Sequence, residues 1–196
     1  MKTAYIGLGS NLGDSLQVLR QAWLRLGQEP AIRPAALSCP YRTEPVAMAS
    51  QHWFVNAVAC LQTSLPPRDL LHTLLATEKE FGRTRGDNRA PGHQDRILDL
   101  DLLLYDDLIY NTATMTLPHP EMHRRLFVLA PLCEIAPDCV HPLLRRTAAA
   151  MLTDLAGARQ HPVVQRISWP PPPGHKQGAD SPNLFLRAAG DREGKK

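Results

Sequence analysis

The stretch Leu98-Asp99-Leu100-Asp101-Leu102-Leu103-Leu104-Tyr105 constrains this chain more than any other. It is short and apolar and carries only two charges, which reads as a buried strand. Alternate side chains of a strand point to opposite faces. Asp99 and Asp101 then project side by side, while Leu98, Leu100, Leu102 and Leu104 turn the other way into a core. The two Asp Cα atoms would stand about 6.6 Å apart. Two unit charges at that distance repel by roughly 2.5 kcal/mol at an effective dielectric near 20. A shared proton, a basic neighbour, or cations held between the carboxylates would offset that repulsion. Mg²⁺ is a cation of the right kind, because it takes oxygen ligands, often one or two carboxylates plus substrate phosphates. The pair reads either as a metal–phosphate site or as an edge strand whose polar face meets water.

The chain has 196 residues, enough for one domain with a real core, or for one domain and a tail. A net charge of +3 demands no nucleic-acid partner. More telling is the cluster Arg83, Arg85, Arg89 and Arg96 just ahead of the Asp pair. Cys39, Cys60, Cys133 and Cys139 form no Cys-x-x-Cys pair and read as free thiols of a reducing compartment. No apolar run approaches a membrane span, and the start shows no signal-peptide pattern. The expectation is a cytoplasmic protein that binds neither membrane nor nucleic acid.

In chain order, residues 3–9 read as a strand with Gly7 and Gly9 on one face, where a partner can approach the backbone. A helix follows on the stripe Leu16, Leu19, Trp23 and Leu26, capped at Asp14 or Ser15 and ended by Gly27. The nearby Gly-x-Gly lacks the lysine and spacing of a phosphate loop. Residues 36–43 read as a strand broken by Pro40, and residues 53–61 as a strand with Phe54, Asn56 and Val58 on one face. A second helix opens at Pro66 or Pro67 and ends at Phe81-Gly82. Residues 82–96 form a long polar loop, the kind that is usually functional. After the Asp strand, Leu108-Ile109-Tyr110 reads as a short strand and Leu117-Pro118-His119-Pro120 as a rigid loop. A helix begins at Arg125 and should end or kink at Pro131, and another spans about 143–155. The domain is expected over 1–168, with a Pro-rich disordered tail over 169–196. The order strand, helix, strand, strand, helix, strand predicts an α+β, ferredoxin-like split βαβ fold. It has a four-stranded, mostly antiparallel sheet with helices on one face and the active site on the other.

Several motifs fall in one order: Gly9-Ser10-Asn11-Leu12-Gly13, Tyr41-Arg42-Thr43-x-Pro45, Phe54-x-Asn56-Ala57 and Gly82-Arg83-x-Arg85, then Leu98-Asp99-Leu100-Asp101, Leu117-Pro118-His119-Pro120 and Arg125-x-Phe127-x-Leu129-x-Pro131-Leu132. Over roughly residues 3–140 the chain resembles the 6-hydroxymethyl-7,8-dihydropterin pyrophosphokinase family of folate biosynthesis. The resemblance implies an ATP-dependent diphosphotransferase that moves pyrophosphate from ATP to a pterin alcohol and releases AMP. It implies two Mg²⁺ ions on Asp99 and Asp101. Catalytic arginines are implied at Arg83 and Arg96, and nucleotide contacts at Glu78, Arg83, Arg85, Leu102, His119 and Arg125. The same likeness places the pterin against Thr43, Val46, Phe54, Asn56 and Phe127. It also implies a monomer acting on small molecules. The run Arg89–Arg96 departs from the family pattern and lacks a tryptophan that some members carry there. Two other readings stand beside this one. One is a different Mg²⁺-dependent phosphoryl or nucleotidyl transferase on the same sheet type. The other is a non-catalytic RNA-binding module, which the paired aspartates disfavour because they repel phosphate.

Overall fold

The computed structural model describes residues 1–44, 52–83, 95–157 and 162–171. β1 (Lys2–Ser10) leads through the turn at Gly13 into α1 (Ser15–Leu26). Asp14 caps that helix, accepting the Gln17 N–H at 3.1 Å, and so satisfies one of the donors a helix start leaves open. β2 (Ile32–Leu37) and β3 (Tyr41–Thr43) follow, separated by Ser38, Cys39 and Pro40. β4 (Phe54–Thr63) is the long central strand. α2 (Pro67–Glu80) starts with proline at its first turn, where the missing N–H costs nothing. β5 (Asp99–Tyr105) carries the Asp pair.

The main sheet runs β10-β3-β4-β1-β5, where β10 is Val164–Arg166, and β2 pairs with β4 beyond the end of β3. Every pairing in it is antiparallel. Among the described residues the sheet therefore has six strands rather than the four expected. Two differences produce the excess. Pro40 splits the expected second strand in two, and β10 joins the edge from a part of the chain with no alternating pattern.

Helices cover both faces, not one. α1 and α2 pack Leu19, Ala22, Trp23, Leu26, Leu70 and Leu74 on Ala4, Ile6, Leu8, Ala57, Ala59, Leu61, Leu100 and Leu102. On the opposite face Val58, Leu103 and Leu104 pack with Met122, Val128, Leu132 and Ala148. Those come from a short 3₁₀ turn (Met122–Arg124), α3 (Leu126–Ile135) and α4 (Ala148–Ala156). Leu104 belongs to this second cluster because the register of β5 on β1 shifts by one residue between Tyr5 and Ile6. A bulge of this kind inverts the facing of every residue beyond it.

α3 continues through Pro131 to Ile135 instead of stopping. Its buried residues Leu126, Val128, Leu129 and Leu132 lie on both sides of the proline, so apolar packing holds the turn where one backbone bond is lost. α4 begins later than expected, at Ala148 behind a Thr147 cap. Leu143 and Leu144 lie exposed in the turn between β8 (Val140–His141) and β9 (Arg146–Thr147). A further short hairpin joins β6 (Tyr110–Asn111) to β7 (Thr116–Leu117). The expected tail boundary at 168/169 falls inside a docked stretch. Trp169 packs on the core, its Nε1–H donates to the Ser38 carbonyl at 2.9 Å, and Arg20 donates to the Pro170 carbonyl at 3.2 Å. Residues 172–196 of the expected tail lie outside the described residues. Among the described residues no helix is long and apolar enough to cross a membrane.

Candidate active site

The site grows from the register of three adjacent strands. Gly9 of β1 pairs with Asn56 of β4 on one side and with Asp99 of β5 on the other, and Gly7 pairs with Val58 and Asp101. These residues share the face turned away from α1 and α2. With no side chain on either glycine, bare backbone separates Asn56 from the carboxylates by two strand spacings, about 10 Å. A Cβ added to Gly9 would lie 3.1 Å from Asn56 Oδ1 and 3.8 Å from Asp99 Cβ. A cavity of about 580 Å³ opens over this strip.

Asn56 is buried, and its Nδ2 donates to Thr43 Oγ1 at 2.8 Å. That bond turns Oδ1 toward Gly9. Phe54, on the same strand face, and Phe127, from α3, both line the cavity. Arg125 lies over the Phe127 ring at 5.8 Å. His119 is fixed by its own backbone N–H, which donates to the Leu103 carbonyl at 2.9 Å. Its Nδ1 accepts the Glu121 N–H at 3.2 Å, so the neutral ring carries its proton on Nε2. Burial holds the His119 pKa below its ordinary value despite the pull of Asp101, which favours this neutral donor form.

The two aspartates have different surroundings. Arg83 donates to Asp99 Oδ1 and Arg96 to Asp99 Oδ2. The same Arg83 nitrogen also donates to Glu78. Asp99 thus carries the basic neighbours that offset the charge pair. Asp101 receives no hydrogen bond from any described residue, although it lines the cavity. Burial, and then the charge of Asp99, hold its carboxyl above the ordinary range, against the pull of His119, Arg125 and Arg96. β5 is indeed a sheet edge, but its polar face looks into a walled cavity rather than open water.

The sequence matches the 7,8-dihydro-6-hydroxymethylpterin-pyrophosphokinase (HPPK) family over residues 5–137. The chain belongs to the HPPK family. It is 41% identical over 140 residues to the 2-amino-4-hydroxy-6-hydroxymethyldihydropteridine pyrophosphokinase of Methylorubrum extorquens, covering 71% of this chain and 86% of that protein. Against the enzyme of the same name from Bacillus subtilis, identity is 40% over 156 residues, covering 80% of this chain and 88% of the relative. The fold is also similar to a solved Plasmodium falciparum HPPK-DHPS structure, with a TM-score of 0.60 at 12% identity. That match covers 78% of this chain and 44% of the longer one.

Within this HPPK chain the structure brings most of the implied site residues to one cavity. Asp99, Asp101, Arg83, Arg96, His119, Arg125, Thr43, Phe54, Asn56 and Phe127 all line it. Two do not. The Leu102 side chain belongs to the core beneath α1 and α2. Glu78 is 2% exposed behind β5, where it accepts the Leu100 N–H at 2.7 Å and holds Arg83. Its position is that of a brace for the Asp strand. Arg85 and Val46 lie outside the described residues. The cavity also has walls that the sequence did not point to: Glu121, Arg124, Leu155 and Pro162. The Arg124-Arg125 pair was a visible signal for one of these. Leu155 and Pro162 had no signal, because they reach the cavity only through the packing of α4 and the segment after it.

Proposed function

We propose that this chain transfers the pyrophosphoryl group of ATP to the primary alcohol of 6-hydroxymethyl-7,8-dihydropterin, in folate biosynthesis. The alcohol oxygen attacks the β-phosphorus, the bond from that phosphorus to the α-phosphate oxygen breaks, AMP leaves, and the alcohol proton passes to solvent. One observation carries the reading: an amide-and-aromatic slot and a carboxylate pair lie on either side of the bare backbone at Gly9. A flat polar-edged ring needs the first and a polyphosphate with its counter-ions needs the second.

Phe54 and Phe127 hold the pterin ring, and offset stacking contributes about 0.5–1.5 kcal/mol per aromatic pair. Asn56 Oδ1 accepts from the ring edge, because Thr43 has fixed the amide's orientation. His119 Nε2–H and the Arg125 guanidinium donate to the nucleotide's phosphates. Asp99 and Asp101 would hold Mg²⁺, two ions in this reading. The donor set fits that group: both ligands are oxygens, and the Asp101 carboxylate faces the cavity with no donor to it among the described residues. When bound, Mg²⁺ neutralises charge on the phosphate oxygens. Arg83 and Arg96 stand in for cations at Asp99 until phosphate draws them away and uncovers its oxygens. Catalysis on this scheme is chiefly positioning and charge neutralisation.

We read β2/β3-β4-β1-β5 with α1 and α2 as a ferredoxin-like core to which β10, α3 and α4 are added. The described residues that line the cavity all come from one copy, which suits a monomer. Dependence on ATP and four free cysteines suit the cytoplasm. The test is to incubate the protein with ATP, Mg²⁺ and the pterin alcohol and identify the nucleotide formed. AMP is expected, with loss of turnover on adding a chelator and in Asp101→Ala, while pterin binding persists. Formation of ADP, or an Asp101→Ala enzyme at wild-type rate, refutes the proposal.

A further inference from the structure

Asn11 ends the Gly9-Ser10-Asn11 run at the margin of the cavity, is 5% exposed, and does not itself line the cavity. Its bonds go to the two residues that begin the approach to β5. The Asn11 backbone N–H donates to the Arg96 carbonyl at 3.1 Å, and Asn11 Oδ1 accepts the Arg96 N–H at 2.7 Å. Asn11 Nδ2 donates to Asp95 Oδ1 at 2.6 Å. The other Asp95 oxygen lies 3.3 Å from His52 Nδ1. Asn11 therefore grips the backbone of Arg96 through both its donor and its acceptor, as a neighbouring strand would, although Arg96 precedes the strand. From that anchored backbone the Arg96 guanidinium reaches Asp99 Oδ2.

We propose that Asn11 is the positioning residue for Arg96. It sets where the guanidinium can stand relative to the Asp pair, and so how well that charge meets the transferring phosphates. This rests on the reading that Arg96 serves phosphate transfer. The chemistry explains the residue type. The primary amide places an acceptor for the Arg96 N–H and a donor for the Asp95 carboxylate on two adjacent atoms of one short side chain. Aspartate would set like charges together, serine has no second polar atom, and alanine offers neither group. A misplacement of about 1 Å in a catalytic group can cost on the order of 100-fold in rate, so an anchored backbone matters even without contact to substrate.

The test is a double-mutant cycle in the AMP-forming assay, with pterin dissociation constants and melting temperatures measured alongside. Arg96→Ala and Asn11→Ala are each expected to lower kcat by about 10–100-fold with pterin affinity unchanged. The double variant should be no slower than Arg96→Ala, because Asn11 acts only through that side chain. Asn11→Asp should also be slow, and adding Asp95→Asn, which exchanges donor and acceptor across the contact, should restore most of the rate. This exchange carries the test if Asn11→Ala does not fold. Independent, multiplying losses in the double variant overturn the proposal. So does wild-type turnover in Asn11→Ala beside a slow Arg96→Ala, or no rescue by the exchange. A fast Arg96→Ala removes the role assigned to Asn11 and overturns it as well. Absence of AMP from the wild-type protein is a separate outcome, and it refutes the proposed reaction itself.

Discussion

Glu78 separates two reasons for keeping a carboxylate next to an active strand. Its Oε1 accepts the N–H of Leu100, the residue between the two aspartates, at 2.7 Å and also receives Arg83. Burial pushes its carboxyl above the ordinary range, more than the Leu100 N–H and Arg83 pull it back. Glu78→Ala removes the acceptor and leaves a buried N–H unpaired, which costs about 1–3 kcal/mol. It also takes one carboxylate from Arg83, whose side chain is 25% exposed and keeps Asp99. That second loss falls well short of the ~3–5 kcal/mol of a fully buried broken pair. The sum is about 2–4 kcal/mol, or roughly 4–16 °C in Tm at 2–4 °C per kcal/mol. Glu78→Gln keeps a carbonyl oxygen for Leu100 and removes a charge that burial disfavours. It should stay within about 1 kcal/mol of wild type, as neutral replacements of buried charges often do. Urea unfolding of the three proteins, monitored by tryptophan fluorescence, gives the comparison. If glutamine costs as much as alanine, the charge and not the Leu100 bond is what matters, and the reasoning fails. If glutamine leaves stability intact but weakens ATP binding by more than about tenfold, 1.4 kcal/mol, Glu78 contacts the nucleotide and is not a brace.

Three further outcomes are expected. Gly9→Ala, whose Cβ would meet Asn56 Oδ1 at 3.1 Å, should raise KM for the pterin by about tenfold while leaving KM for ATP nearly unchanged. For Gly7→Ala the nearest atoms are Leu103 methyl carbons and Asp101 Cβ, at 3.5 Å and beyond, and the change should cost less in steady-state kinetics. Glu134 is half-buried, which alone would raise its pKa, but Arg166, the Cys39 N–H and Tyr41 hold it below the usual carboxylate value. Its stabilisation is therefore present above about pH 4.3 and lost as pH falls through the lower folded value. Urea midpoints should drop more steeply on acidification in wild type than in Glu134→Gln, with Trp169 fluorescence reporting release of the β10 edge. Leu74→Ala, at a fully buried position under the sheet, should cost about 2–5 kcal/mol in the same unfolding assay.

The features that could be read from the chain alone are those set within a few residues. Side-chain alternation put Asp99 and Asp101 on one face of β5, and the same rule joined Phe54 to Asn56 on β4. The apolar stripes, the Asp14 cap and the starting proline marked α1 and α2 nearly to the residue. Motif order pointed to the family. Tertiary structure decided what depends on residues far apart. The bulge that turns Leu104 to the second core exists only because β5 must register on β1. β10 has little alternation of its own, and its place at the edge is held by Tyr41, Cys39 and Arg166 meeting at Glu134. The backbone of α3 survives Pro131 because α3 is packed between the sheet and α4, a context no local propensity contains. Glu78 became a brace and Asn11 an anchor because long-range closure set their oxygens on the backbone N–H groups of Leu100 and Arg96. Periodicity and capping are local energies and show in sequence. The pairing of a particular donor with a distant acceptor is settled only when the chain closes on itself.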